Sequence, residues 1–181
     1  MDCAWDLFCD YLYFIRLVYG VRIHSFVMMP NHIHLIVRDP ELQLSLAMGH
    51  FMRESSKELG RLSGVEGRVW GSRFHSSVIG SPIYYLNAYK YVYRNPVRAG
   101  IVKSPFAYAY SSLPALVGLS KSILPIESDD TLFENFEDSV QWLERPPASQ
   151  IEEAVRGGLR RRYFTPLRNE LTKQPCELER L

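Results

Sequence analysis

Apolar positions recur at helical spacing over residues 4–19, where Leu7, Tyr11, Phe14, Ile15 and Val18 share a side and Gly20 closes the segment. The period then changes. Residues 21–28 read as a strand and 29–31 as a turn. After it, His32, His34 and Ile36 alternate with Ile33, Leu35 and Val37. Successive side chains of a strand point to opposite faces. One face therefore carries an apolar set, and the other presents two imidazoles side by side. A second helix is predicted over 44–62, with Ala47, Phe51, Ser55, Leu59 and Leu62 in register. Residues 73–79 make a short strand candidate. Ser81 as N-cap and Pro82 in the first turn open a third helix, which Pro96 is expected to stop. Residues 104–119 read as a loop and a short helix. Beyond them come an acidic helix over 128–142, a break at Pro146-Pro147, and a helix over 151–162 bearing Arg156, Arg160, Arg161 and Arg162. This order predicts an α+β fold, an antiparallel sheet with helices packed on one face. The expected division is a domain over 1–120 and a helical accessory tail over 121–181.

Composition narrows the class. A chain of 181 residues, 46% hydrophobic and 13% aromatic, buries a core and is not disordered. Cys3, Cys9 and Cys176 form neither a paired framework nor a C-x-x-C, which points to a reduced, cytoplasmic setting. Asp2, Asp6 and Asp10 at the start argue against a signal peptide, and no apolar run is long enough to span a bilayer.

The net charge of +1 hides an asymmetry. No Asp or Glu occurs over 67–126, a stretch that holds Arg68, Arg73, Lys90, Arg94, Arg98, Lys103 and Lys121. Aromatic residues interleave with these bases. Trp70, Phe74, Tyr84, Tyr85, Tyr89 and Tyr93 are candidate stacking faces for unpaired bases, and the cations are candidate phosphate contacts. Nucleic acid is the expected partner.

The candidate chemistry lies in two elements. His32 and His34 on one strand face can share a cation. Tyr84, Ala88, Tyr91 and Asn95 form one stripe of the third helix, which puts a phenol and an amide one turn apart. Two imidazoles and an amide oxygen suit a divalent cation, and a tyrosine beside it suits nucleophilic attack on a phosphodiester. Imidazoles bind metal only when neutral, so activity is expected to fall below about pH 6. Tyr93 is the rival nucleophile, on another helix face.

The blocks MPNHIHLIV, VWGSRF and YKYVYRNPVRAGIV resemble those of the single-tyrosine HUH transposases, most closely the REP-associated branch linked to palindromic repeats. The resemblance covers roughly residues 5–115. It implies a ferredoxin-like HUH nuclease core with the His strand central, and a chain that starts after the first strand of the family. It implies His32, His34 and Asn95 as metal ligands, Tyr91 as nucleophile, and Mg²⁺ or Mn²⁺ as cofactor. Arg68, Arg73, Lys90, Arg94 and Arg98 are then the DNA-binding candidates. The activity implied is cleavage and rejoining of single-stranded or hairpin DNA through a 5′-phosphotyrosine, in a nucleoid-associated protein that acts as a monomer or a homodimer. Two rivals stand beside it: a domesticated DNA-binding protein without catalysis, and a metal-dependent hydrolase that uses water.

Smaller expectations complete the reading. His24 is a surface or second-sphere residue. His50 and His75 are structural or phosphate-contacting. Arg98 caps the tyrosine helix or meets phosphate, and Gly100 takes a positive φ.

Overall fold

The computed structural model describes residues 1–64, 69–121, 124–127, 136–165 and 177–179. They divide into two compact units, Met1–Phe74 with Ala109–Ser128, and His75–Tyr108 with Asp129–Leu181. The architecture is α+β, compatible with the expected HUH-type core. The expected boundary near residue 120 does not coincide with these units. The tyrosine helix belongs with the tail helices, because its apolar face is buried against them.

In the first unit, α1 (Asp2–Tyr19) leads into β1 (Arg22–Met28) through Gly20, whose φ of 68° turns the chain sharply. The buried stripe of α1 is Phe8, Leu12 and Ile15, with Cys9 beside it. The expected side was rotated from this one: Phe14 and Val18 are exposed. The helix carries apolar residues almost all round, so periodicity alone did not fix its phase. Strand β2 (Ile33–Arg38) pairs antiparallel with β1, with Val27 opposite His34 and Met28 opposite Ile33. Met29 N–H donates to the His32 carbonyl and closes the turn around Pro30 and Asn31. His24 sits where the register shifts between Ile23 and Ser25, the signature of a bulge.

Ile33, Leu35 and Val37 pack on the core formed by α1, β1 and α2 (Leu44–Ser63), as the alternation required. Ile36, on the histidine face, is also buried. Among the described residues the strand flanked on both sides is β1, not the His strand. Beyond β1, Ser112 N–H donates to the Phe26 carbonyl, and Phe26 N–H donates to Ser112 Oγ. The Asp39 carboxylate accepts the backbone N–H groups of Gln43 and Leu44, both at 2.9 Å. It thereby ties the end of the His strand to the first turn of α2. A short helix, α4 (Leu113–Leu116), completes this unit.

Trp70 and Phe74 belong to this core. Trp70 lies 5.5 Å from Phe8 between ring centroids and donates its indole N–H to Ser55 Oγ. The Trp70 ring, expected to stack on bases, already packs on Phe8 and Phe51, whereas Phe74 is partly buried against the same core.

The second unit is built on α3 (Pro82–Arg98), α5 (Phe136–Glu144) and α6 (Ser149–Leu159). Ser81 caps α3 by accepting the Tyr84 N–H. Pro96 does not stop this helix; it stands inside the last turn. A proline there forfeits one hydrogen bond and the helix has only two residues left to run, so the disruption is small. The end comes at Gly100, with φ 70°. Gly100 N–H reaches the Val97 carbonyl and Ile101 N–H reaches that of Pro96, a Schellman closure. Residues 73–79 form no strand. Val78 makes an isolated parallel bridge with Tyr163. Of the acidic helix expected over 128–142, residues 128–135 lie outside the described residues, as does Arg68. The closing segment from Thr172 is described only at 177–179.

Candidate active site

The turn at Pro30-Asn31 and the start of β2 hold the imidazole pair. His32 Nε2 and His34 Nε2 lie 3.0 Å apart, with the rings nearly perpendicular at 83°. Two nitrogen ligands each about 2.1 Å from one cation, at right angles, are separated by about 3.0 Å. The pair therefore fits adjacent positions around a single ion. On the far side of the first ring, His32 Nδ1–H donates to Asn31 Oδ1 at 2.6 Å. That bond puts the proton on Nδ1 and leaves Nε2 with its lone pair toward His34. Metal-binding histidines are oriented in this way by a partner on the other nitrogen. Asn31 read only as a turn residue in the sequence. Its place immediately before the first histidine of the pair was the available signal.

Among the described residues no group of three or more His, Cys, Asp and Glu side chains could hold a metal. A cation at the imidazole pair would need a neutral donor such as an amide oxygen to complete its protein ligands.

In the second unit, Tyr91, Asn95 and Arg98 lie at i, i+4 and i+7 of α3 and meet along one stripe. Asn95 is 2% exposed. Its Nδ2 donates to the Tyr91 carbonyl at 2.8 Å, and its Oδ1 accepts from Arg98 Nη2 at 3.2 Å. The same nitrogen lies 3.5 Å from the Tyr91 phenol oxygen, and the guanidinium sits 5.3 Å from the Tyr91 ring centre. Glu152 of α6 faces Arg98 Nε at 3.6 Å. No local signal marks Glu152, because its partner lies more than fifty residues away and no local period links them. The rival phenol, Tyr93, is buried at 1% exposure and packs edge-on against Tyr89. Tyr91 is half-buried and lines a shallow pocket with Arg94, Ile151 and Glu152.

The cation candidates divide. Arg73 is exposed. Lys90 is not available for phosphate: it is 2% exposed, pairs with Glu179 and lies over the Trp142 ring. Burial pushes its ammonium below the usual lysine range, against the opposing pull of Glu179. Arg94 donates to the Leu143 and Glu144 carbonyls and so closes the end of α5. Both were expected on DNA, and both instead join α3 to its neighbours. Two of the four tyrosines follow the same correction, while Tyr84 and Tyr85 are partly exposed. Tyr89 and Tyr93 are buried, and Tyr84 packs on Phe164 at 5.1 Å. His50 is structural, stacked on Phe14 at 4.7 Å.

The family model described as "Transposase IS200 like" matches residues 7–95, a span that includes His32, His34, Tyr91 and Asn95. No curated protein and no solved structure matches the chain. No helix among the described residues is long and apolar enough to cross a membrane.

Proposed function

Since the chain belongs to the IS200-like transposase family, we propose that it cleaves and rejoins single-stranded DNA, with Tyr91 as nucleophile and His32, His34 and Asn95 as the ligands of a divalent cation. The observation that carries this reading is the imidazole pair, with its 3.0 Å Nε2 separation and the tautomer that Asn31 imposes on His32. Two imidazole nitrogens at ligand spacing favour this reading over DNA binding alone.

The donor set suits Mg²⁺ or Mn²⁺: two neutral imidazoles and one amide oxygen leave positions for phosphate oxygens. The cation would act as a Lewis acid on the scissile phosphate. The remaining work falls to the chain. Tyr91 attacks phosphorus through its phenol oxygen and retains the DNA 5′ end as a phosphotyrosine, which a 3′-hydroxyl can later reverse. Asn31 keeps His32 in the metal-binding tautomer. Arg73, exposed beside the core of the first unit, and Arg98 on the tyrosine helix are the remaining described candidates for a backbone contact. The preference for hairpin DNA rests on the family resemblance alone, and assignment to the REP-associated branch on Asn95 at the third ligand position.

The test is incubation with hairpin DNA and Mn²⁺, resolved on denaturing gels. A covalent protein–DNA adduct that Tyr91→Phe abolishes is the expected result. An adduct that survives Tyr91→Phe, or cleavage without any adduct, would falsify the assignment.

A further inference from the structure

Resting on that assignment of Tyr91, we propose that Arg98 binds the phosphoryl group as it is transferred to the tyrosine. The guanidinium is already at the accepting oxygen, with Nη2 3.5 Å from the phenol and 3.2 Å from Asn95 Oδ1. Glu152 Oε1, 3.6 Å from Nε, holds the other end of the same group. About a third of the Arg98 side-chain surface stays exposed, at 35%, so an incoming strand can reach it.

A capping role for Arg98 does not account for this arrangement. The last carbonyls of α3 are taken by backbone donors: Ala99 N–H on Asn95, Gly100 N–H on Val97 and Ile101 N–H on Pro96. The guanidinium turns back along the helix instead, to the phenol. Positions 91, 95 and 98 share one stripe, so the helix itself creates the juxtaposition. The Schellman closure at Gly100 fixes the helix end two residues beyond Arg98.

The chemistry calls for a cation there. A phenol O–P bond forms and the bond from phosphorus to the 3′ oxygen breaks. The phenol proton is lost, and the departing 3′ oxygen gains one, so charge and atoms balance. During the exchange, negative charge builds on the non-bridging oxygens of the phosphorus next to Tyr91 Oη. A guanidinium has five N–H donors in a planar fork that matches phosphate oxygens, more than its contacts to Tyr91, Asn95 and Glu152 consume. Arg98 therefore exchanges its hold on the phenol and amide for the phosphate, and Glu152 keeps the fork oriented while it does.

The experiment compares single-turnover adduct formation on hairpin DNA with DNA affinity by fluorescence anisotropy, in the full chain. Arg98→Gln keeps a donor beside Tyr91 and Asn95 but removes the charge. Adduct formation is expected to slow by about 10²–10³-fold, the loss typical of one removed transition-state donor. Affinity for the uncleaved hairpin stays near that of the unsubstituted protein. Arg98→Lys, which restores charge without the fork, recovers part of the rate, and Glu152→Gln slows the reaction less than Arg98→Gln. Adduct formation by Arg98→Gln at the unsubstituted rate overturns the proposal. So does a loss of affinity that accounts for the whole loss of rate, since that describes an ordinary backbone contact. If Arg98→Gln does not fold, the rate of Arg98→Lys decides: an undiminished rate shows that the fork is not used. Adducts formed by Tyr91→Phe would instead remove the nucleophile assignment itself.

Discussion

His32 and His34 bring their Nε2 atoms to 3.0 Å of each other, and Asn31 holds the first ring by its opposite nitrogen. Two lone pairs facing one point are unfavourable unless a proton or a cation lies between them. Mn²⁺ titration by calorimetry is therefore expected to show a site that His34→Ala abolishes. Asn31→Ala leaves both ligands in place but frees the His32 ring, and weakens binding by about 10–100-fold. Binding also weakens in acid, since protons compete for the same nitrogens. An Asn31→Ala protein that binds Mn²⁺ as tightly as the unsubstituted chain would show that the 2.6 Å bond does not orient the ring.

The cysteines give a simple contrast. Cys3 is exposed, whereas Cys9 is buried in the core of the first unit. Burial first, then Asp6 and Asp10, push the Cys9 thiol up to about 12. At pH 8 its thiolate fraction is then about one in ten thousand, and the thiolate is the reactive form. Iodoacetamide labelling of the native protein, mapped by peptide mass, should modify Cys3 and spare Cys9 until urea is added. Rapid labelling of Cys9 in the native state would show that α1 does not stay docked.

The chain made some of this legible and concealed the rest for identifiable reasons. Strong local signals held: the His32–Ile33–His34 alternation, Ser81 and Pro82 at the start of α3, and Gly20 and Gly100 at positive φ. Each depends on a few neighbouring residues whose backbone preferences agree. The phase of α1 did not, because Phe14, Leu17 and Val18 are as apolar as the residues that were buried. The side chains misassigned to DNA failed for another reason. Lys90, Arg94 and Trp70 are of types that bind nucleic acid, and their contacts are to partners about 15 to 89 positions away. Charge and aromatic content along the chain carry no record of such partners. Of the site itself, spacing placed Tyr91, Asn95 and Arg98 on one stripe, but the contacts of Arg98 to the phenol and to Glu152 required coordinates.

Two glycines inside helices should respond oppositely to alanine. Gly49 lies on the exposed side of α2, with no atom within 4 Å of an added Cβ. There the gain in helix propensity acts alone, and Gly49→Ala should stabilise by about 0.5–1 kcal/mol. At Gly158 in α6 the added carbon would lie 2.6 Å from the Phe164 ring and 2.8 Å from the Thr165 carbonyl oxygen. Overpacking of this kind costs about 1–3 kcal/mol, more than the propensity gain. Urea denaturation of the two variants should move the midpoint up for the first and down for the second. A stabilised Gly158→Ala would mean that residues 164 and 165 do not pack on α6.

Lys90 offers a test in alkaline solution. Desolvation lowers its folded-state affinity for a proton more than Glu179 restores it, so its pKa is lower in the folded chain than in the unfolded one. The unfolded state therefore binds more protons in the interval between the depressed value and the ordinary lysine value of about 10.4. Below that interval both states are protonated and the burial penalty is fully present. As pH rises through it, the folded protein sheds the charge first and the penalty is relieved. This side chain thus contributes a gain in stability with rising pH, which Lys90→Met should remove. Glu179→Gln works in the opposite sense. It leaves the buried ammonium, 3% exposed at the side chain, without its carboxylate, and a broken buried pair costs about 3–5 kcal/mol. Adding Lys90→Met to Glu179→Gln should recover most of that loss, because no isolated charge remains. Urea midpoints for the two single variants and the double variant, each at pH 7 and pH 10, contain both comparisons. If Glu179→Gln alone leaves the midpoint unchanged, the ammonium has another route to solvent and the pair does not anchor residues 177–179 to the tyrosine helix.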